Sequence, residues 1–249
     1  MNSLDMLIKE LPEVSKESNL IYPLSINCFE DTWVWMKKED DRDVLMACGK
    51  HAHRFQGQFI TLSSKPAVIA ELTHEHGNLL REFFPFTKPI PVLNKPRSFG
   101  LGDRLGIATP GHIRVFNEYD AYPIFAQQSI RELNLTHRRY EDVLDSASFA
   151  VYRDGYKRGF GADGDHLKKP SEIEYALSLG FSMITLDCSE YIRNDVQQMT
   201  KEQVDEACSL GELHKDRYLK HAFQIEGHTI EFTEEELKRC ILEIGRANV

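Results

Sequence analysis

The sequence predicts an α/β protein with a parallel sheet, preceded by a small mixed α+β region. Three observations predict it. From residue 97 onward, short runs starting near 98, 121, 159 and 181 alternate with longer segments of helical spacing, and such alternation specifies parallel strands joined by right-handed crossovers. Each run ends in residues that carry chemistry: Asp103 and Arg104, Gln127 and Gln128, Asp163, Asp165 and His166, then Asp187. Carboxyl ends of parallel strands are where α/β enzymes place ligand-handling groups. Finally, the units recur at about 30 residues, the size of a βα unit. Four units fill 98–215. Eight would need about 240 residues, and residues 97–249 are too few. The pattern fits either an open α/β sheet or the front part of a (β/α) barrel, and the even spread of polar residues along one rim is a barrel feature.

In chain order, residues 1–16 set Leu4, Leu7, Ile8 and Leu11 at helical spacing. Residues 32–36 (TWVWM) and 44–47 read as strands joined by the charged KKEDDRD turn. Residues 59–62 read as a further strand and 66–80 as a helix. The stretch 84–96 carries Pro85, Pro89, Pro91 and Pro96. Proline at that density breaks helices and central strands, so this stretch is expected to be a linker dividing region 1–95 from region 96–249. The first βα unit runs from a strand at 98 to a helix with Thr109 as N-cap and Pro110 at N1. The second pairs strand 121–126 with helix 140–157, the third strand 159–162 with helix 171–179, and the fourth strand 181–186 with helix 200–213. A last helix, 233–246, starts at the N-cap Thr233.

The 30 Lys and Arg against 39 Asp and Glu leave a net charge of −9, which argues against a nucleic-acid partner. No run of about 18 apolar residues suggests a membrane span, and the acidic, amphipathic amino terminus is unlike a signal peptide. A cytoplasmic location is expected. Cys28, Cys48, Cys188, Cys208 and Cys240 form no CxxC pair and are odd in number, so buried free thiols are expected rather than zinc or disulfide frameworks. The pairs His51/His53 and His74/His76 lack a third ligand at metal spacing and read as ordinary histidines.

Gly100-Leu-Gly102-Asp-Arg-Leu-Gly106 departs from the dinucleotide fingerprint by one place. A tight turn aiming Asp103 and Arg104 at a ligand fits better, Arg being the bidentate partner of a carboxylate; an internal Arg–Asp ion pair is the alternative. Gln127 and Gln128 either bind a polyol or cap the next helix. Lys168 and Lys169 either neutralise an anion or are solvated. GxSxG, P-loop and HExxH motifs are absent. The most concentrated stretch is 159–169, with two carboxylates, an imidazole and two ammonium groups around Gly159, Gly161 and Gly164. Asp and His move protons and hold divalent metals, although Asp-Gly is also a common turn dipeptide.

Three segments in order over residues 99–187, FGLGDRLGIATPGHIR, PIFAQQSIREL and GFGADGDHLKKPSEIEYALSLGFSMITLD, resemble the tagaturonate epimerase family of bacterial uronate metabolism. The resemblance implies a TIM-like (β/α) barrel of which this chain is the first half, since family members are considerably longer. It implies a metal-dependent epimerase interconverting D-tagaturonate and D-fructuronate, with a sugar acid as substrate and a divalent cation (manganese, nickel or zinc) as cofactor. It places Asp165 as proton acceptor and His166 as a metal ligand, with the proton donor and remaining ligands expected beyond residue 249. Asp103, Arg104, Gln127, Gln128, Asp163 and Lys168 are the expected substrate-binding residues, Arg104 on the sugar-acid carboxylate. On a regular strand Asp165 and His166 face opposite ways, so a turn permitted by Gly164 is expected. Because the epimerised carbon is not next to the ketone, retro-aldol cleavage and readdition is the expected route. The alternatives are a non-catalytic sugar-acid binder or another aldol-type isomerase on the same scaffold.

Overall fold

The computed structural model describes residues 2–244, which fall into two compact units divided between Leu186 and Asp187. The first unit opens with α1 (Ser3–Glu10), started by a capping box between Asn2 and Asp5. Pro12 ends the α-helix and begins a 3₁₀ stretch, Pro12–Leu20. Leu7 and Leu11 are fully buried, as the helical spacing predicts; Met1, the first residue of that predicted segment, lies outside the described residues.

An antiparallel sheet follows, made of β1 (Asn27–Phe29), β2 (Thr32–Glu39), β3 (Arg42–Gly49), β4 (Gln58–Leu62) and β5 (Lys65–Ala70), in the order β1-β2-β3-β5-β4. The charged turn is Asp40-Asp41, between the paired Glu39 and Arg42. Of the helix expected over 66–80, only residues 74–80 are helical, and 66–70 form a strand. Ser63 and Ser64, both with left-handed φ, fold β5 back on β4, and the β-branched Val68 and Ile69 then pair with β3. The helix α2 (His74–Phe83) begins only after the N-cap Thr73. Residues 84–96 pack within the first unit and do not divide the chain at residue 95. Thr87 and Val92 are buried, and the Ile90 N–H donates to Phe160 O at 2.8 Å.

The second sheet is parallel: β6 (Ser98–Gly100), β7 (Tyr122–Ser129), β8 (Gly161–Leu167) and β9 (Met183–Leu186), in sequence order. Its helices are α3 (Thr109–Glu118), α4 (Ile130–Thr136), α5 (Tyr140–Arg153) and α6 (Pro170–Leu179). The short α4 fills a stretch left without structure by the sequence pattern; Ser129 and Glu132 start it with a reciprocal capping box. α5 stops at Arg153, not 157, because Gly155 turns the chain at φ +62. This helix joins the sheets. Val143, Leu144, Ala147 and Val151 pack with Phe125, Ala126, Phe160 and Ala162 of the parallel region, while Phe149 and Tyr152 pack with Val34, Met36 and Leu45 of the antiparallel sheet. The other antiparallel face buries Trp35 and Met46 against Leu7 and Leu11.

The second unit contains α7 (Lys201–Ala207), capped by Thr200, then α8 (Glu212–His214), the hairpin β10 (Phe223–Ile225) and β11 (His228–Ile230), and α9 (Glu234–Ile244). The single helix expected over 200–213 is thus broken. Thr233 starts α9 in a capping box with Glu236; Gly245 and Arg246 of the predicted helix lie outside the described residues. Of the five cysteines, expected to be buried, only Cys48 and Cys208 are; Cys28 and Cys240 are exposed. Among the described residues, no helix is long and apolar enough to cross a membrane.

Candidate active site at the carboxyl ends of the parallel strands

Parallel register sets Gln127 beside Asp163, and Asp163 beside Met183. Asp163 is 1 % exposed. Its Oδ2 accepts hydrogen bonds from Gln127 Nε2 at 3.0 Å and Thr185 Oγ1 at 2.8 Å, while its buried Oδ1 has no partner. Burial pushes the Asp163 carboxyl above the ordinary range against the pull of those two bonds, and the nearby Asp165 charge adds to the rise. Gly100 makes room for the row: a Cβ there would stand 2.5 Å from Gln127 Oε1.

One step further along, Asp165 is in register with Ser129. The strand was expected to end at 162 and the chain to turn at Gly164; instead β8 continues to Leu167. Gly164 sits in the strand, where a Cβ would meet Ile184 Cδ1 at 2.8 Å. The turn comes at His166, with φ +58, where the register with β9 slips between Gly164 and Leu167. That bulge cancels the alternation of a regular strand and sets His166 Nδ1 2.7 Å from Asp165 Oδ1. The Asp165 side chain is 15 % exposed and that of His166 58 %. A carboxylate on one ring nitrogen is the arrangement that orients a histidine whose other nitrogen ligates a metal. Among the described residues, however, no group of three or more His, Cys, Asp or Glu is placed to hold an ion, so this pair is too small a ligand set by itself.

Two expected ligand-binding residues serve the scaffold instead. Asp103 is buried, and its carboxylate accepts from the N–H groups of Gly106, Ile107, Ala108 and Thr109 and from Thr109 Oγ1, at 2.8–3.1 Å. It therefore caps α3 from outside, and Thr109 is the helix's first residue rather than its N-cap. Burial raises the Asp103 carboxyl, but these hydrogen bonds outweigh it and hold it below the usual range. Gln128 points away from Gln127, as strand alternation requires. It is buried, with Nε2 donating to Arg104 O and Thr136 Oγ1 and Oε1 accepting from Arg138 Nη1. Arg138 also donates to Asp103 O.

Arg104 projects from this braced loop and pairs with Glu132, the internal ion pair of the alternative reading, although with a different acid. Glu132 belongs to the cap of α4 beside Ser129. Arg104 is thereby tied to the same strand ends as Asp165. The exposed Lys168 sits at the entrance to α6, its N–H bonded to Glu172 Oε2. The histidine pairs serve local structure: His74 meets Asp145 Oδ2 at 2.8 Å, and His76 meets Glu71 O and the Gln56 N–H. Thr185, Glu132 and Arg138 were not singled out; the available signals were the capping-box spacing of Ser129 and Glu132 and the two hydroxyls, Ser182 and Thr185, within the run 181–186, with none for Arg138.

Sequential parallel strands gather at their carboxyl ends a row around one buried acid and a carboxylate–imidazole pair, in the region where α/β proteins place ligand-handling groups. The chain belongs to the tagaturonate epimerase family, whose model matches residues 22–247. The match therefore includes most of the antiparallel region, which the three motifs do not reach. The chain is 37 % identical over 214 residues to the tagaturonate/fructuronate epimerase of Thermotoga maritima, covering 84 % of this chain and 44 % of that protein. It superimposes on a glycerol-complexed crystal structure of the fructuronate-tagaturonate epimerase of Cohnella laeviribosi with a TM-score of 0.82 and 39 % identity, covering 95 % of this chain and 49 % of that one. The native crystal structure of that enzyme gives a TM-score of 0.82 with 96 % and 50 % coverage. The chain thus spans about half the length of these relatives, which are isomerases by name.

Proposed function

We propose that this chain contributes the proton-accepting side of a sugar-acid epimerase site, acting on D-tagaturonate and D-fructuronate, on four strands of a (β/α) barrel. The observation that carries this reading is the Asp165–His166 contact at 2.7 Å, at the carboxyl ends of parallel strands, in a chain of this family. Asp165, beside the Gln127–Asp163–Thr185 row, takes the proton from the hydroxyl on the carbon to be inverted. The C–C bond to the neighbouring carbon then breaks, leaving an aldehyde and an enediolate. Rotation of the aldehyde and re-formation of that bond give the epimer, its new alkoxide protonated by a separate donor that this half of the site does not supply. Arg104, released from Glu132, binds the substrate carboxylate as a bidentate partner. A divalent cation, were one bound, would supply positive charge for the developing oxyanion, and His166 would be one of the residues holding it.

The test is NMR observation of tagaturonate with the chain and added manganese, nickel or zinc. Asp165→Asn should lower turnover by about 10²–10⁴-fold while bound metal stays near the wild-type level; retained turnover removes the base assignment. His166→Ala should lower bound metal by elemental analysis, and unchanged metal removes the ligand assignment. The lack of a three-ligand group among the described residues favours a second reading, binding of a sugar acid without turnover. Saturable binding with no epimer formed at any metal concentration would select it.

A further inference from the structure

The Gln127–Asp163–Thr185 row has a feature that the proposed chemistry does not use. Asp163 is buried, and both side chains bonded to it are uncharged, an amide and a hydroxyl. Its flanking register partners, Gln127 and Met183, are neutral too, and the nearest named charge is that of another carboxylate, Asp165. A buried carboxylate anion needs a cation or several donors to replace lost hydration. Here every donor is neutral, the Gln127 amide and the Thr185 hydroxyl on Oδ2 with a further pull from the Thr185 backbone N–H, and Oδ1 has no partner.

We infer that Asp163 is held as a neutral carboxylic acid at neutral pH, with its proton on the unpartnered Oδ1, and that it positions Gln127 and Thr185 rather than contributing charge. Oδ2 accepts from both neighbours, so it fixes the orientation of the Gln127 amide: Nε2 toward Asp163 and Oε1 over the space left by Gly100. The raised Asp163 pKa, driven first by burial, agrees. An uncharged acid also avoids placing a second negative charge beneath an anionic substrate, and in this respect the inference rests on the sugar-acid reading.

Carbon-13 NMR of the whole chain with carboxyl-labelled aspartate tests the protonation without any substrate. One carboxyl resonance should hold the protonated shift at neutral pH and vanish in Asp163→Asn; an Asp163 resonance at the carboxylate shift overturns the inference. Should the Asn variant fail to fold, backbone-linked assignment of wild-type Asp163 gives the same answer. In the epimerase assay, Asp163→Ala should raise KM about tenfold or more, and Asp163→Asn, which keeps an acceptor for Gln127 and Thr185, should recover most of that loss. A large loss in the Asn variant would mean that the charge itself is required, and overturns the inference. A wild-type chain with no turnover but a protonated Asp163 would instead count against the epimerase reading alone.

Discussion

Asp103→Ala removes a carboxylate that serves five donors at the start of α3. Ile107 and Ala108 are exposed, so water can take over their N–H groups at small cost. Thr109 is 1 % exposed, and its N–H and hydroxyl would be left buried without acceptors, at about 1–3 kcal/mol each. Losing a helix cap adds about 1 kcal/mol. These costs overlap, which puts the expected destabilisation at about 3–4 kcal/mol, a large share of a typical domain's stability of about 5–15 kcal/mol. Trp33 and Trp35 are the only tryptophans and both lie in the first unit, so their fluorescence during urea unfolding reports on that unit alone. Asp103→Asn keeps one acceptor oxygen but turns an amide NH₂ toward N–H donors, with an expected loss of about 2 kcal/mol. Because the folded-state pKa of Asp103 is lowered, its contribution is complete above the unfolded value of about 3.9 and is lost as pH falls through the folded value. The gap between wild type and Asp103→Asn should therefore narrow in acid. A loss below about 1 kcal/mol for Asp103→Ala, or a gap indifferent to pH, would refute the capping account.

Tyr152→Phe removes the hydroxyl that donates to Val34 O at 2.8 Å across the join between α5 and β2; leaving that carbonyl bare should cost about 1–2 kcal/mol in the same fluorescence assay. Gly164→Ala places a Cβ 2.8 Å from Ile184 Cδ1 and 3.0 Å from Leu167 Cδ1, and the overpacking should cost about 1–3 kcal/mol; an unchanged urea midpoint would contradict the packing. Asp145→Ala strips the buried Arg81 of its ion pair at 2.8 Å and should cost about 3–5 kcal/mol, readable as a shifted thermal midpoint.

Alternating strand and helix patterns at about 30-residue spacing made the parallel sheet legible. The antiparallel hairpin across Asp40-Asp41 was legible from two strand-forming runs around a charged turn. What was not legible depended on partners distant in sequence. Residues 66–70 have helix-compatible neighbours, and only pairing with β3 and β4 makes them a strand. Asp163 and Asp165 read as loop because Asp-Gly-Asp is turn-like, yet β7 and β9 pair with that segment on both sides and keep it extended. Asp103 caps a helix from six positions upstream of Thr109, beyond any N-cap pattern. Once Gln127 and Gln128 are placed in a strand, alternation alone forbids both from entering one site.

The same alternation shows how much rests on His166. Asp163 and Asp165 share a face, and the next residue of a regular strand would turn its side chain to the other side. Left-handed backbone at a non-glycine residue costs about 1 kcal/mol or more, so something must hold it there. Leu167, immediately after, is 1 % exposed and paired with Leu186, and Lys169 then enters α6 through its N–H bond to Glu172 at 3.0 Å. With Asp165 registered on Ser129 before it and Leu167 locked after it, the chain can absorb the extra residue only at His166. The strain is thus borne by the residue whose side chain the bulge delivers to Asp165. Packing of a leucine against the sheet, rather than flexibility at the preceding glycine, sets the carboxylate–imidazole geometry.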